Sequence, residues 1–416
     1  MKIPCPPRVK MPGLLTAILL PAFLFAQRPA ARPPVKSAAI PATRPNPFAQ
    51  TDVRALQLPD SASHSVSSIA AYINSNFTTA TDKARAIFIW IAGNIQYDID
   101  NMFAIDFYED TAAKIARPLQ TRKGICENYA SLFSAISNQV GVHSLVIEGY
   151  TKQRGFVDYI PHAWCAVQID GSWWLIDPTW GSGYVDQGKF VRKVNEDYFK
   201  ASPETFIKTH MPFDYQWEFL NYPVTNQEFY EGKTTPDKSK PFFDFQDSVV
   251  AYEAMTHIQQ ETVESVRVAK NGLRNGMVFD WLRHLKLDLE NDRQNRLIDA
   301  YNGSLQDYNS AIRVFNVFID YRNQQFKPEK PDPEIQQMLD TVTHVLQTLR
   351  TRTSGIVLTD ADSRIQQPLQ QLKTSIEALA GKVKEQQDFL TQYLSKGRSG
   401  RKAMFYKTTI FGRPIN

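Results

Sequence analysis

Three residue types that together can open an amide bond, a cysteine, a histidine and an aspartate, fall within one stretch of this sequence, Gly124 to Gly181. Cys126 follows Lys123, Gly124 and Ile125 at the point where an apolar helical period begins. His162 and Asp177 sit on consecutive strand-like runs. A thiol attacks a carbonyl only as its thiolate, and an ordinary cysteine with a pKa of about 8.5 is mostly protonated at neutral pH. The positive end of a helix dipole beside the sulfur favours the thiolate. An imidazole within reach stabilises it as an ion pair.

Whether His162 and Asp177 can cooperate is a question of register. Asp170 and Gly171 read as a two-residue hairpin turn. Ile169 then lies opposite Ser172, Trp164 opposite Asp177 and His162 opposite Thr179. Asp177 becomes the diagonal neighbour of His162 on one face of the sheet, at a backbone separation of about 7–8 Å that the two side chains can bridge. The same alternation turns Cys165 to the other face, as a small buried residue and not a disulfide partner of Cys126.

The positioning elements are expected as follows. One helix carries Val66, Ile69, Ala70 and Ile73. A second runs from Asp82 to Ile95 with Thr81 as its cap and Ala84, Ile87, Phe88, Ile91 and Ile95 buried. Residues 99–123 read as a loop or short helix. A helix from Cys126 to about Gln139 stops at Gly141, and strands follow at Val142 to Gly149, Ala163 to Ile169 and Trp173 to Ile176. The backbone N–H of Cys126 is one oxyanion donor, and Gln120 and Tyr97 are candidates for the second. Trp164 and Trp180 are candidate pocket walls. His210, in an aromatic segment, is the one further histidine that could line the cleft.

Residues Lys83 to Asp98, Thr121 to Ala130, Pro161 to Trp164 and Asp177 to Trp180 resemble the transglutaminase-like superfamily, which is papain-like in architecture, and most of all its bacterial and kyphoscoliosis-peptidase-type members. The resemblance spans roughly residues 65–225. It implies an α+β core in which the cysteine-bearing helix packs on an antiparallel sheet, with Cys126 as nucleophile, His162 as base and Asp177 as the orienting acid. The superfamily holds cross-linking enzymes, peptidases, amidases and members without activity. The acidic clusters of a calcium-activated cross-linker are missing, which favours a hydrolase or peptidase that needs no metal or cofactor. The alternative is an inactive adaptor that binds peptide or glycan.

The composition, 43% hydrophobic and 22% charged over 416 residues, suits a globular chain of about two domains. Lys2, Arg8 and Lys10 followed by the 13-residue, largely apolar run Leu14 to Ala26 read as a cleavable export signal. The expected destination is therefore periplasmic or extracellular, with no integral membrane domain after cleavage. Without residues 1–26 the formal charge falls from +4 to about +1, and nothing points to nucleic acid. The expected division is 1–26 signal, 27–50 Pro-rich basic linker, 51–225 transglutaminase-like domain, 226–246 linker, 247–396 helical bundle and 397–416 basic tail. In the bundle, helices are expected near 249–270 and 298–326. Ile335 to Leu349 and Ile365 to Tyr393 follow a heptad seam with one polar slip at Gln386, a scaffold or a surface for a protein partner. The substrate is expected to be a protein or peptide.

Overall fold

A computed structural model describes residues 46–405. The proposed signal, most of the Pro-rich linker and the end of the basic tail lie outside the described residues. From Phe48 onward the described residues form one compact unit. Order begins earlier than the apolar periodicity near Ser65 suggests, with α1 (Ala49–Leu56). Next come α2 (Val66–Asn76) and α3 (Ala80–Asn94). The cap of α3 is Thr79, whose hydroxyl accepts the Asp82 N–H, and not Thr81. The helix is buried all round from Ala84 to Ala92. Arg85, in its middle, is fully buried because α1 supplies Asp52 and a later turn supplies Glu196 as its partners, at 2.7 and 2.5 Å for the nearest contact to each.

β1 (Gln96–Tyr97) pairs in parallel with β2 (Lys123–Gly124), which sets Tyr97 opposite Gly124. Between them, α4 (Thr111–Thr121) turns out of its last turn through Arg122, at φ +57°. α5 (Cys126–Gln139) follows. β3 (Ser144–Gln153), β4 (Phe156–Ile169), β5 (Ser172–Ile176) and β8 (His210–Pro212) make an antiparallel sheet in the order β5-β4-β3-β8. A separate hairpin, β6 (Gly183–Asp186) with β7 (Lys189–Arg192), precedes the short α6 (Pro203–Phe206). Asp170 and Gly171 both have positive φ, the type I′ geometry of a two-residue hairpin. The register runs from Ile169↔Ser172 to Cys165↔Ile176, as the turn requires. Alternation sends Cys165 toward α5, its Sγ 3.3 Å from the Ala130 carbonyl oxygen. Trp164 goes to the opposite apolar layer with Phe206 and Trp217. Both Cys126 and Cys165 are free thiols. Burying an aromatic or branched side chain of this layer stabilises the fold by about 2 kcal/mol each.

The remainder is all helical: α7 (Asn226–Glu231), α8 (Phe245–Glu253), α9 (His257–Lys270), α10 (Gly276–Asn323), α11 (Asp332–Ser354), α12 (Ser363–Leu394) and α13 (Arg398–Ala403). α10 is one helix of 48 residues, whereas the apolar pattern suggests a helix only from 298. Its polar middle is carried by ion pairs one turn apart, Arg293 with Glu290 and Arg296 with Asp292. The first third of α10 buries Val278, Trp281, Leu282 and Leu285 against the sheet domain. Its last third packs Ala311, Phe315 and Phe318 on α11 and α12. The slip at Gln386 is occupied, since its side-chain oxygen accepts from Arg322 at 2.9 Å. Among the described residues no helix is long and apolar enough to cross a membrane.

Candidate active site

Cys126 is the first residue of α5 and only 3% exposed. Asn128 holds that helix end: its Oδ1 accepts the Ile125 N–H at 2.9 Å, and its amide donates to the Lys114 carbonyl at 3.0 Å. The Tyr129 hydroxyl donates to the Ile95 carbonyl at 2.9 Å, tying α5 to the end of α3. The thiol Sγ lies 4.0 Å from the Pro161 carbonyl, and Cys126 and His162 line one crevice with Ile105, Phe107, Glu127 and Glu148. His162 stands opposite Gly149 on β3. That position has to be glycine, because a Cβ there would meet the Met211 carbonyl oxygen at 2.2 Å and the Trp164 ring at 2.6 Å.

His162 Nε2 hydrogen-bonds Asp177 Oδ2 at 2.8 Å, which leaves Nδ1 as the ring atom toward the thiol. Asp177 is fully buried and accepts four bonds. The Thr179 and Trp180 N–H groups reach Oδ1 at 2.8 and 3.0 Å, and His210 Nε2 reaches Oδ2 at 3.1 Å. His210, from β8, is the residue that sequence reasoning singled out without assigning it a partner. Its Nδ1 meets the Thr209 hydroxyl at 2.8 Å, so neutral His210 donates from Nε2 and accepts at Nδ1. It stacks on Phe206 at 4.0 Å and meets Trp180 edge-on at 4.8 Å.

The two histidines are driven apart. Burial works against protonation of His162, but the charge and hydrogen bond of Asp177, together with the Cys126 contact, push it up to about 10. Burial pushes His210 down to about 4, despite the same carboxylate. Burial also opposes ionisation of Asp177, yet the His162 charge and the bonds from both rings hold it well below the usual carboxylate range. At neutral pH the cluster is an imidazolium, a carboxylate and a neutral imidazole.

The remaining sequence candidates divide. Tyr97 reaches the site. Burial, then the nearby Cys126 and Asp177, push its phenol far above the usual range, so it stays a hydrogen-bond donor. Trp180 walls His162 at 5.4 Å. Trp164 lies under His162, fully buried, and is core and not a pocket wall. Gln120 is exposed on α4 and is not among the residues lining the crevice, because the last turn of α4 buries Pro118 and Leu119 instead. Nε2 of both histidines and Oδ2 of Asp177 lie within 4.8 Å of one another, a donor set that suits a divalent ion. Both Nε2 atoms already donate to Oδ2, so an ion there would displace both N–H donations.

Residues 67–178 match the model of the Transglutaminase-like superfamily. Over that stretch the chain is similar to a transglutaminase-like core. The mouse (Mus musculus) kyphoscoliosis peptidase is 37% identical to it over 156 residues, covering 36% of this chain and 23% of the mouse protein. The human (Homo sapiens) kyphoscoliosis peptidase is 38% identical over 159 residues, covering 36% and 24%. Hillarin of Drosophila melanogaster is 26% identical over 209 residues, covering 45% and 25%. The match therefore spans about a quarter of the length of these relatives. Among solved structures, a TGase crystal structure shares 22% identity over 34% of this chain and 36% of its own, with a TM-score of 0.23. The periplasmic domain of TgpA from Pseudomonas aeruginosa shares 20% over 32% and 47%, also with a TM-score of 0.23.

Proposed function

We propose that this protein is an exported thiol enzyme acting on amide bonds of peptides or proteins, with Cys126, His162 and Asp177 as its triad. The observation that carries the reading is the buried 2.8 Å bond between His162 and Asp177 beside a cysteine at a helix start. In the resting pair the Cys126 proton already sits on His162 Nδ1, and the thiolate sulfur attacks the substrate carbonyl carbon. The oxyanion is received by the Cys126 backbone N–H, one of the helix-end donors that have no partner within the helix, and by the Tyr97 hydroxyl. As the carbon–nitrogen bond breaks, His162 returns the proton to the leaving amine and a thioester remains. Water, activated by the now neutral His162, then releases the acid; an amine in place of water gives transfer. Asp177 fixes the ring and balances the imidazolium, and His210 with the two backbone N–H groups stops the carboxylate from rotating. The name peptidase carried by the mouse and human relatives supports hydrolysis over transfer.

The test is product analysis by mass spectrometry, with peptide and protein substrates, in the presence and absence of a primary amine. The expected result is cleaved amide, little amine adduct, and loss of product to background, a fall of about 10⁴-fold or more, in Cys126→Ala. Equal product from Cys126→Ala rules out the thiol mechanism. Predominant amine adduct replaces the hydrolase reading with transfer.

A further inference from the structure

The crevice that holds Cys126 is narrow. It has no room for a water-sized sphere, and Ile105 and Phe107 of the preceding loop line it beside Cys126 and His162. Beside it lies an open cavity of about 570 Å³ lined by Asp98, Asn101, Asp106, Glu109, Arg117 and Asn128, in the size range that accommodates small ligands. Ile105 borders both spaces, and Ile125 lines the cavity while its neighbour Cys126 lines the crevice. One loop side chain, Ile105, is therefore shared by the wall of the substrate-sized space and the wall of the thiol crevice.

That loop, residues 98–110, joins β1 to α4 and has no regular structure. Uninterrupted loops of this length inside a compact domain are uncommon and are often lids or binding loops. It enters through the Asp98 N–H on the Gly124 carbonyl at 2.9 Å. Among the described residues, the backbone-to-backbone bonds between Ile99 and Glu109 all close within the loop: Met102 to Ile99, Ala104 to Asn101 and Glu109 to Asp106. No ladder fastens it to the sheet. Rings do that instead. Phe103 stacks on Tyr159 of β4, with centroids 6.4 Å apart and planes at 18°. On the other side Phe107 meets Trp281 edge-on at 5.1 Å, and Tyr108 meets His284 edge-on at 4.5 Å. Trp281 and His284 belong to the first turns of α10, and Trp281 is itself held by Glu264 of α9 through a 2.8 Å bond from its indole N–H.

We propose that residues 98–110 are a lid, and that α10 clamps it shut over Cys126, so that the helical half of the chain sets how often the thiol is open to substrate. This deepens the amide-hydrolase reading and rests on Cys126 being the nucleophile. Opening breaks these ring contacts and the bond from the Asp106 backbone N–H to the Glu127 carboxylate of α5, while the backbone bonds within the loop are carried along intact. A ligand or partner that displaces the start of α10 opens the site. Side chains far from the triad thus control its access.

The experiment uses the full chain with Cys5→Ser and Cys165→Ser, which leaves Cys126 as its single thiol. Labelling is followed with iodoacetamide and with a maleimide on a polyethylene-glycol chain, in Tyr108→Ala, His284→Ala and the double variant. Tyr108 is 63% exposed, so its replacement leaves the core intact. Hydrogen exchange along residues 98–110 is measured in parallel as an independent readout. An aromatic pair of ordinary strength shifts the open population by about two- to tenfold. Both reagents should accelerate by that same factor, because access and not thiol chemistry has changed, and exchange should rise in the loop alone. Unchanged labelling in the three variants, or unchanged exchange across 98–110, overturns the lid. Labelling is read whether or not any amide is cleaved. If it responds while no substrate turns over, the lid stands and the hydrolase reading falls.

Discussion

Asp177→Asn is expected to lower kcat/KM by roughly 10⁴-fold while leaving the protein folded near neutral pH. The carboxylate accepts four bonds, two on each oxygen. An asparagine offers one acceptor oxygen and one NH₂, so whichever way it lies, two donors face a donor. If the NH₂ faces His162, the ring must present a lone pair to it, and its proton moves to the nitrogen that should receive the proton of Cys126. The same change removes the counter-ion of a buried imidazolium, at a cost of about 3 kcal/mol of stability. The pH dependence has a definite sign. His162 titrates higher in the folded state than the usual 6.5, so the stabilisation it gains from Asp177 is fully present below about 6.5 and is lost as the pH rises through about 10. Between pH 5 and 6.5 the stability gap between wild type and variant should be widest, and it should close toward pH 10. Urea titrations at several pH values, paired with steady-state kinetics, check both. Turnover within tenfold of wild type would remove Asp177 from the mechanism.

Arg85→Leu is the largest expected effect outside the site, a loss of about 3 kcal/mol or more in unfolding free energy. Its guanidinium is fully buried in α3 and pairs with Asp52 through Nε and Nη2, and with Glu196 through both Nη atoms. Phe48, Phe88 and Phe199 surround it, with the Phe199 centroid 4.9 Å from the guanidinium carbon. Leucine fills part of the volume and strands two carboxylates. Glu196 is half exposed and turns to water, whereas Asp52 is more enclosed. The loss therefore sits at the lower end of the range for a broken buried pair. Equilibrium denaturation with a cooperative single transition measures it; a change under about 1 kcal/mol would mean that the cation was not needed there.

How far the sequence reaches can be argued from these residues. A two-residue turn at Asp170–Gly171 admits one register, and that register places Asp177 within reach of His162, whereas a three-residue turn would put it on the other face. The cysteine-bearing helix and its stop were legible for similar local reasons. Arg85 was not, because an arginine in an apolar period reads as the polar edge of a helix, and its partners lie 33 and 111 residues away. α1 escaped notice for the same cause. His210 could be flagged by its aromatic neighbours, but its bond to Asp177 depends on β8 joining the sheet beside β3, and three residues carry no periodicity. Gln120 lies on the exposed face of α4 and away from the crevice, a placement that a segment readable only as a loop or short helix could not fix. The continuous α10 was hidden by a charged middle whose ion pairs exist only once the helix has formed.

The central claim is that Cys126 and His162 form a reactive pair, and the pH dependence of alkylation at Cys126 tests it most directly. Iodoacetamide labelling would be followed from pH 5 to 10 in the Cys5→Ser, Cys165→Ser chain and again with His162→Ala, each rate scaled to its own plateau at high pH. The account predicts labelling that stays fast well below pH 7 with His162 present and collapses there without it. Labelling that rises only around the ordinary thiol range near about 8.5, the same in both proteins, would contradict it.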